Sequence, residues 1–191
     1  MRMGKSRIFK VILLGDGSVG KTSLRQVYMG ENFKKRYHAT LGADFSLKKF
    51  ELDGEEIQLQ IWDLAGQPKF SAVRNKYYLN SSGLLLVFDL TRPETFENIP
   101  NWLNEYLDGS DDTLVPIILI GNKHDLIENK NYQISPDEIQ QYVDELREWG
   151  ESRSENFSIN FAMTSARYHL NVDPSFKGLT KMMIENIKNE S

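Results

Sequence analysis

The segment that decides the fold is residues 15–22, GDGSVGKT, which fits the spacing G-x-x-x-x-G-K-[ST]. An apolar strand, predicted at about residues 9–14, precedes it, and a helical pattern to about Gly30 follows it. Glycines let backbone N–H groups curl around phosphate oxygens, and the following helix points its N-terminal dipole at the same anion. We expect Lys21 to reach the terminal phosphates and the Thr22 hydroxyl to bind magnesium. The segment therefore predicts a phosphate-binding loop.

Outside this loop, short apolar β-rich runs alternate with amphipathic helical stretches, which predicts a mostly parallel sheet. Asp53-Gly54 predicts a hairpin between antiparallel strands at about 43–52 and 56–62. Further strands are predicted at about 83–90, 116–121 and 157–163. Helices are predicted after Pro100 and after Ser135-Pro136, where a capping serine precedes proline. The apolar stripes expected to face the core are Leu103, Tyr106 and Leu107; Ile139, Tyr142, Val143 and Leu146; and Leu179, Met182, Met183 and Ile187.

Composition excludes several classes of protein. The 191 residues predict one domain, 1–191, with residues 1–8 as a flexible extension. The net charge of −4 offers no basic field, so we expect no nucleic-acid partner. The absence of cysteine excludes disulfides, thiol catalysis and, in this chain, a prenyl or palmitoyl anchor. No apolar run approaches the ~18 residues of a membrane span. We therefore expect a cytoplasmic protein whose membrane association, where it has any, is peripheral and not through lipidation.

Two further segments predict the base that the loop's nucleotide carries. Residues 122–125, NKHD, directly follow an apolar strand, and Asp125 can accept two hydrogen bonds from the ring N–H and exocyclic amine of guanine. Adenine has no such donor pair and would leave a buried acceptor unpaired. Residues 164–166, TSA, end the last strand, where their backbone could contact the guanine carbonyl. Ligands of such sheets bind at the carboxyl ends of the strands, so the sequence predicts a guanine nucleotide.

Residues 63–67, DLAGQ, follow the third predicted strand. Asp63 can hold magnesium through water, and the Gly66 N–H can bond the γ-phosphate. Gln67 can orient an attacking water, although without the other motifs a plain surface glutamine would be the favoured interpretation.

Together these motifs resemble those of the Ras-type small GTPases, most closely of their Rab and Rho branches, from about Lys10 to the last helix. The resemblance implies an α/β fold, a P-loop small G-domain with a six-stranded mostly parallel sheet, one antiparallel edge strand and five flanking helices. It implies a switch that binds GTP and GDP and slowly hydrolyses GTP with Mg²⁺, in signalling and vesicle trafficking.

The resemblance also implies roles for single residues. Thr40 would be a second magnesium-binding threonine, Phe33 would pack on guanine, and Tyr37 would close over the γ-phosphate. Phe45, Trp62 and Tyr77 would form an aromatic patch read by partners; the alternative is that Trp62 and Tyr77 are merely buried. The implied metal residues are Thr22, Thr40 and, through water, Asp63, and the catalytic residues are Lys21 and Gln67. The full predicted nucleotide-binding set is Gly15, Asp16, Gly17, Ser18, Val19, Gly20, Lys21, Thr22, Ser23, Phe33, Tyr37, Thr40, Gly66, Asn122, Lys123, Asp125, Ser165, Ala166 and Arg167.

Partners follow from the same resemblance. An effector, an exchange factor and a GTPase-activating protein would bind a monomer through about 33–45 and 65–78. The motifs place no arginine of the chain in the site, so slow turnover is expected until a partner supplies one; in related GTPases such an arginine raises the rate by about 10³–10⁵. Gly17 is where a side chain would crowd that arginine.

The sequence departs from the family pattern at four places. Pro68 follows Gln67, where members usually carry glutamate, and proline favours extended backbone at Gln67. Arg167 replaces a lysine, a polar loop at 151–156 is longer, and the lipidated C-terminal cysteines of most Rab and Rho members have no counterpart. Pro68 keeps open a second hypothesis, a module that holds the nucleotide without useful turnover. An ATP-dependent kinase is disfavoured because it has no use for the residues at 122–125.

Overall fold

The computed structural model describes residues 6–33, 39–127, 133–154 and 157–189. Its centre is one six-stranded sheet with the strand order β2-β3-β1-β4-β5-β6. The strands are β1 (Ser6–Leu14), β2 (Ala43–Leu52), β3 (Glu55–Leu64), β4 (Gly83–Asp89), β5 (Ile117–Asn122) and β6 (Ile159–Met163). The helices are α1 (Lys21–Tyr28), α2 (Ser71–Tyr78), α3 (Pro93–Glu97), α4 (Ile99–Gly109), α5 (Pro136–Glu151) and α6 (Val172–Asn189).

The sheet confirms the predicted α/β architecture. β1 pairs in parallel with β3 and β4, β4 with β5, and β5 with β6, whereas the edge strand β2 runs antiparallel to β3. The β2–β3 turn places Asp53 and Gly54 at φ of +50° and +79°, which a two-residue hairpin turn requires. The parallel strands bring the loops that carry the motifs to one edge of the sheet.

Two apolar cores cover the two faces of the sheet. Side chains alternate along a strand, so β1 sends Ile12 towards the face covered by α4 and α5, and Leu13 towards the face covered by α1 and α6. On the second face, the rings of Tyr28 and Phe176 stack at a centroid distance of 3.9 Å. Both faces are therefore filled, and the strand ends are left to form the site.

Three details differ from the sequence predictions. β1 begins at Ser6, so residues 6–8 belong to the sheet and not to a flexible extension. A short helix that was not predicted, α3, precedes the helix expected at Pro100 and meets it at Asn98. Ile187 is 38 % exposed, and Ile184 packs into the core instead.

The start of α5 follows its predicted signal, because the backbone N–H of Glu138 donates to Ser135 Oγ at 3.0 Å. No helix in the described part of the chain is both long enough and apolar enough to cross a membrane.

Candidate functional site

A cleft of about 750 Å³ lies at the carboxyl ends of the strands. The loops that follow β1, β3, β5 and β6 all contribute to its wall, which is the placement expected for ligands of an open α/β sheet. The lining residues are Gly17, Ser18, Gly20, Lys21, Thr22, Ser23, Gln26, Phe33, Thr40, Gly66, Gln67, Asn122, Lys123, Asp125, Leu126, Ala166 and Arg167. Segments far apart in sequence thus meet in one cavity.

The loop at residues 15–20 holds a buried ammonium group. Lys21 is 6 % exposed, and its Nζ donates to the carbonyls of Gly15 at 2.6 Å and Asp16 at 2.8 Å. Burial lowers the pKa of Lys21 to about 8, although the carboxylates of Asp63 and Asp16 act in the opposite direction. A desolvated cation with one N–H donor left over suits an anionic ligand.

Three oxygen-bearing side chains meet beside Lys21. The Thr22 hydroxyl donates to Asp63 Oδ2 at 2.6 Å and lies 2.9 Å from the Thr40 hydroxyl. Asp63 is fully buried, which raises its pKa, and its Oδ1 has no hydrogen-bond partner among the described residues. Mg²⁺ accepts hydroxyl and carboxylate oxygens as ligands. It requires six ligands in octahedral geometry, more than these side chains supply, and phosphate oxygens commonly provide some of the others. The donor set therefore fits magnesium held jointly with a phosphate ligand.

Asn122 acts through its neighbours. Its side chain is almost fully buried, and Nδ2 donates to the Val19 carbonyl at 2.9 Å. Its Oδ1 accepts from Thr164 Oγ1 at 3.0 Å and from the Ala166 N–H at 3.3 Å. A Cβ added to Gly20, at φ +104°, would lie 2.3 Å from Asn122 Nδ2. Asn122 therefore ties the phosphate loop to the segment after β6.

The carboxylate of Asp125 faces the same end of the cleft. Its Oδ1 accepts from Ser165 Oγ at 2.6 Å, and Arg167 Nη1 lies 3.9 Å from Oδ2. Lys123 adopts a φ of +66° and pairs with Asp89 at 2.7 Å. These contacts orient the Asp125 carboxylate while leaving lone pairs for a ligand.

Gln67 lies where the cleft meets the segment before α2. Its backbone is extended, with φ −82° and ψ 140°, as Pro68 predicts. The Gln67 Oε1 atom is buried without a hydrogen-bond partner among the described residues. At Gly66, an added Cβ would lie 2.5 Å from the Gly15 carbonyl oxygen, so only glycine lets this segment cross the phosphate loop so closely.

Other predicted residues support the cleft without lining it. Tyr37 lies outside the described residues. The Asp16 side chain points away from the cleft, because its Oδ1 accepts from Asn98 Nδ2 at 2.6 Å and Trp102 Nε1 at 2.7 Å. Both partners line a second cleft of about 420 Å³. The predicted residues that do not line the first cleft are Gly15, Asp16, Val19, Asp63 and Ser165.

Sequence reasoning missed several contributors. Gln26 and Leu126 line the cleft, and neither carries a motif signal. Arg92 also lies beside the phosphate loop, in the wall of the second cleft, where its Nη2 donates to the Gly17 carbonyl at 3.1 Å. Arg74 Nη1 donates to the Gln67 carbonyl at 2.9 Å. An arginine that serves a backbone carbonyl has no fixed spacing from it, so no pattern could have found either.

Comparison with known proteins identifies the family. The model of the Ras family matches residues 10–185. The chain belongs to the Ras family. It is 35 % identical over 193 aligned positions to the GTP-binding protein yptV5 of Volvox carteri, covering 100 % of this chain and 89 % of that protein. It is 36 % identical to the Ras-related protein RABG3b of Arabidopsis thaliana, with 100 % and 90 % covered. Against the Ras-related protein Rab-13 of Rattus norvegicus, identity is 34 %, with 95 % and 82 % covered.

This small GTPase binds GTP and GDP and hydrolyses GTP as a molecular switch, and its Rab-named relatives agree with the predicted resemblance to Rab.

Proposed function

We propose that the cleft holds one guanine nucleotide, with its phosphates on residues 15–22 and its guanine ring against Asp125. The observation that carries this proposal is the convergence, in one cavity, of the Lys21 ammonium, the Asp125 carboxylate and the Gln67 carboxamide. The Lys21 ammonium matches a terminal phosphate, and the Asp125 carboxylate matches the donor pair of guanine. The Gln67 carboxamide matches a reacting water. Phe33 and Leu126 supply apolar wall beside the polar groups.

Guanine selectivity rests on Asp125. An ionised carboxylate offers about four lone-pair sites, and Ser165 uses one of them. The remaining sites can accept from both N–H groups on the guanine edge, whereas adenine would leave those sites on a nearly buried carboxylate unpaired. A site built to satisfy a donor pair rejects a ligand that lacks it by a large factor.

Thr22, Thr40 and Asp63 would hold Mg²⁺, with Asp63 acting through water. The unpartnered Asp63 Oδ1 and the two threonine hydroxyls 2.9 Å apart support this assignment. When bound, the ion would supply positive charge that neutralises the phosphates. Because Thr40 belongs to the segment at about 33–45, its hydroxyl would link the position of that segment to the γ-phosphate.

For hydrolysis, Gln67 would orient the attacking water through its carboxamide, and Lys21 would stabilise the charge that develops on the phosphoryl oxygens. The extended backbone at Gln67 sends its side chain along the wall shared by both clefts. Pro68 would therefore act on hydrolysis through the backbone conformation of Gln67.

Partners would bind the two segments that respond to the nucleotide, at about 33–45 and 65–78. A cluster of three aromatic rings supports this. The ring centroid of Trp62 lies 4.8 Å from that of Phe45 and 4.7 Å from that of Tyr77, and Phe45 is 45 % exposed. An effector, an exchange factor and a GTPase-activating protein would use these segments on a cytoplasmic monomer. Any association with a membrane would be peripheral.

Base specificity is tested with Asp125→Asn. The amide of asparagine can donate to the 2-carbonyl of xanthine while its oxygen accepts from the ring N–H. We expect the purified wild type to release about one GDP per chain on denaturation, and the variant to prefer xanthine over guanine nucleotides. Asp108→Asn, an exposed change on α4, is the control. Unchanged preference for guanine in Asp125→Asn would contradict the assignment.

Turnover is tested separately by single-turnover phosphate release. Gln67→Leu removes the carboxamide and keeps the apolar stem, so we expect release to slow by about tenfold or more. Equal rates in the two proteins would instead support a module that holds GTP without using Gln67.

A further inference from the structure

Arg74 is a buried arginine in the wall of the second cleft. It lies on α2, in the segment at about 65–78, and is 1 % exposed, which makes it the largest fully buried side chain among the described residues. A buried charge is strongly unfavourable unless it is paired and hydrogen-bonded. The contacts of Arg74 therefore show what the fold gains from placing a guanidinium there.

One side of the guanidinium is bound to Glu105 of α4. Arg74 Nε and Nη2 donate to the two carboxylate oxygens at 2.7 Å and 2.6 Å. The Tyr78 hydroxyl also donates to Glu105 Oε1, at 2.5 Å, and the guanidinium carbon of Arg74 lies 4.6 Å from the centre of the Trp102 ring. A bidentate pair of this kind fixes the plane of the guanidinium as well as its position.

The other side of the guanidinium holds the backbone beside Gln67. Arg74 Nη1 donates to the Ala65 carbonyl at 2.8 Å and to the Gln67 carbonyl at 2.9 Å. These carbonyls flank Gly66, which crosses the phosphate loop with no room for a side chain. Because both carbonyls are fixed, the backbone at Gln67 is fixed, and with it the direction of the Gln67 Cα–Cβ bond.

We propose that Arg74 and Glu105 form a clamp that positions Gln67 for hydrolysis. The inference rests on the proposed role of Gln67. Neither clamp residue touches the reacting atoms; both act by holding the Ala65–Gly66 and Gln67–Pro68 peptide groups against α4. Pro68 supports the clamp, because it favours the extended backbone that presents the Gln67 carbonyl to Arg74.

The geometry requires arginine. Three nitrogens serve two carboxylate oxygens and two carbonyls at once, whereas the single ammonium nitrogen of lysine cannot span both sets. A shift of about 1 Å in a reacting group can slow a reaction by about 10²-fold. We therefore expect Arg74→Lys to slow single-turnover hydrolysis by about 10–100-fold, and Glu105→Gln by about 3–10-fold, while GDP dissociation changes less than about twofold.

The experiment measures phosphate release from bound GTP, with Mg²⁺, in wild type, Arg74→Lys, Gln67→Leu and the double variant. Lys177→Met, which removes an exposed cation from α6, is the control and should match wild type. If the clamp acts through Gln67, Arg74→Lys adds little or no further loss in the Gln67→Leu background. GDP content and dissociation are measured on every protein.

The outcomes separate the clamp from the role of Gln67. A Gln67→Leu rate equal to wild type would remove the proposed role of Gln67, and the clamp with it. Slow Gln67→Leu with normal Arg74→Lys and Glu105→Gln would overturn the clamp alone. Additive losses in the double variant would also overturn it, as would loss of GDP from both Arg74→Lys and Glu105→Gln, because the pair would then be structural.

Discussion

Replacing Asn122 with alanine should weaken the fold and the nucleotide site together. The change removes one donated and two accepted hydrogen bonds, at 2.9, 3.0 and 3.3 Å. It leaves three buried groups unpaired: the Val19 carbonyl, the Thr164 hydroxyl and the Ala166 N–H. Each such group costs about 1–3 kcal/mol; the Thr164 hydroxyl can turn elsewhere and the 3.3 Å bond is weak, so we expect a total near 3 kcal/mol.

That loss is measurable in two ways. For a chain of this length, about 3 kcal/mol corresponds to a Tm lower by about 6–12 °C. If half of the energy serves to hold the phosphate loop for its ligand, GDP dissociates about tenfold faster. Thermal unfolding is followed at one fixed excess of GDP and Mg²⁺, because bound nucleotide itself raises the Tm, and GDP release is followed with a fluorescent analogue.

The control is Asn104→Ala, an exposed site on α4 that should stay within about 0.5 kcal/mol of wild type. A Tm for Asn122→Ala within 2 °C of wild type, together with unchanged GDP release, would refute the role of this side chain as the tie between the loops.

Three other predictions follow from single contacts. Gly17→Val should fold and bind GDP normally, because an added Cβ meets no atom within 4 Å. It should nevertheless lower partner-stimulated hydrolysis more than about tenfold, because the valine side chain would crowd the partner's arginine. Full stimulation of Gly17→Val in a turnover assay would contradict this role of Gly17. Arg25 donates to Asp44 at 2.6 Å, and Asp44 lies directly across the strands from Asp63, so Arg25→Met leaves two carboxylates facing each other and should lower the free energy of unfolding by about 2 kcal/mol. Adding Asp44→Asn should recover part of that loss in denaturant unfolding, and a double variant weaker than the single one would contradict this account. Although burial opposes ionisation of Glu105, hydrogen bonds from the Arg74 and Tyr78 side chains bring its pKa below the ordinary value of 4.5. The contribution of the Glu105 carboxylate to stability is therefore complete above about pH 4.5 and is lost as the pH falls through the lower, folded-state pKa. The free energies of unfolding of wild type and Glu105→Gln should accordingly differ most at neutral pH and converge in acid.

The sequence alone determined the features whose causes are local. The residues at 15–22 specify a strand, a glycine turn and a helix through backbone freedom and spacing. Asp53-Gly54 specifies the hairpin, and Ser135 specifies the start of α5. Pro68 determined the extended backbone of Gln67, because the steric effect of proline acts on the residue before it.

Only the tertiary structure decided how those motifs are held together. Asn122 carries a motif signal, but its hydrogen bonds reach 103 residues back to Val19 and 42 residues forward to Thr164. Arg74 carries no signal, since its partner Glu105 lies 31 residues away on α4. The physical reason is that a side chain can satisfy a buried carbonyl or carboxylate from any element that folding brings near it. Local backbone conformation depends on residues adjacent in sequence and can therefore be predicted from the sequence. The pairing of buried polar groups depends on distances that exist only after the sheet has assembled.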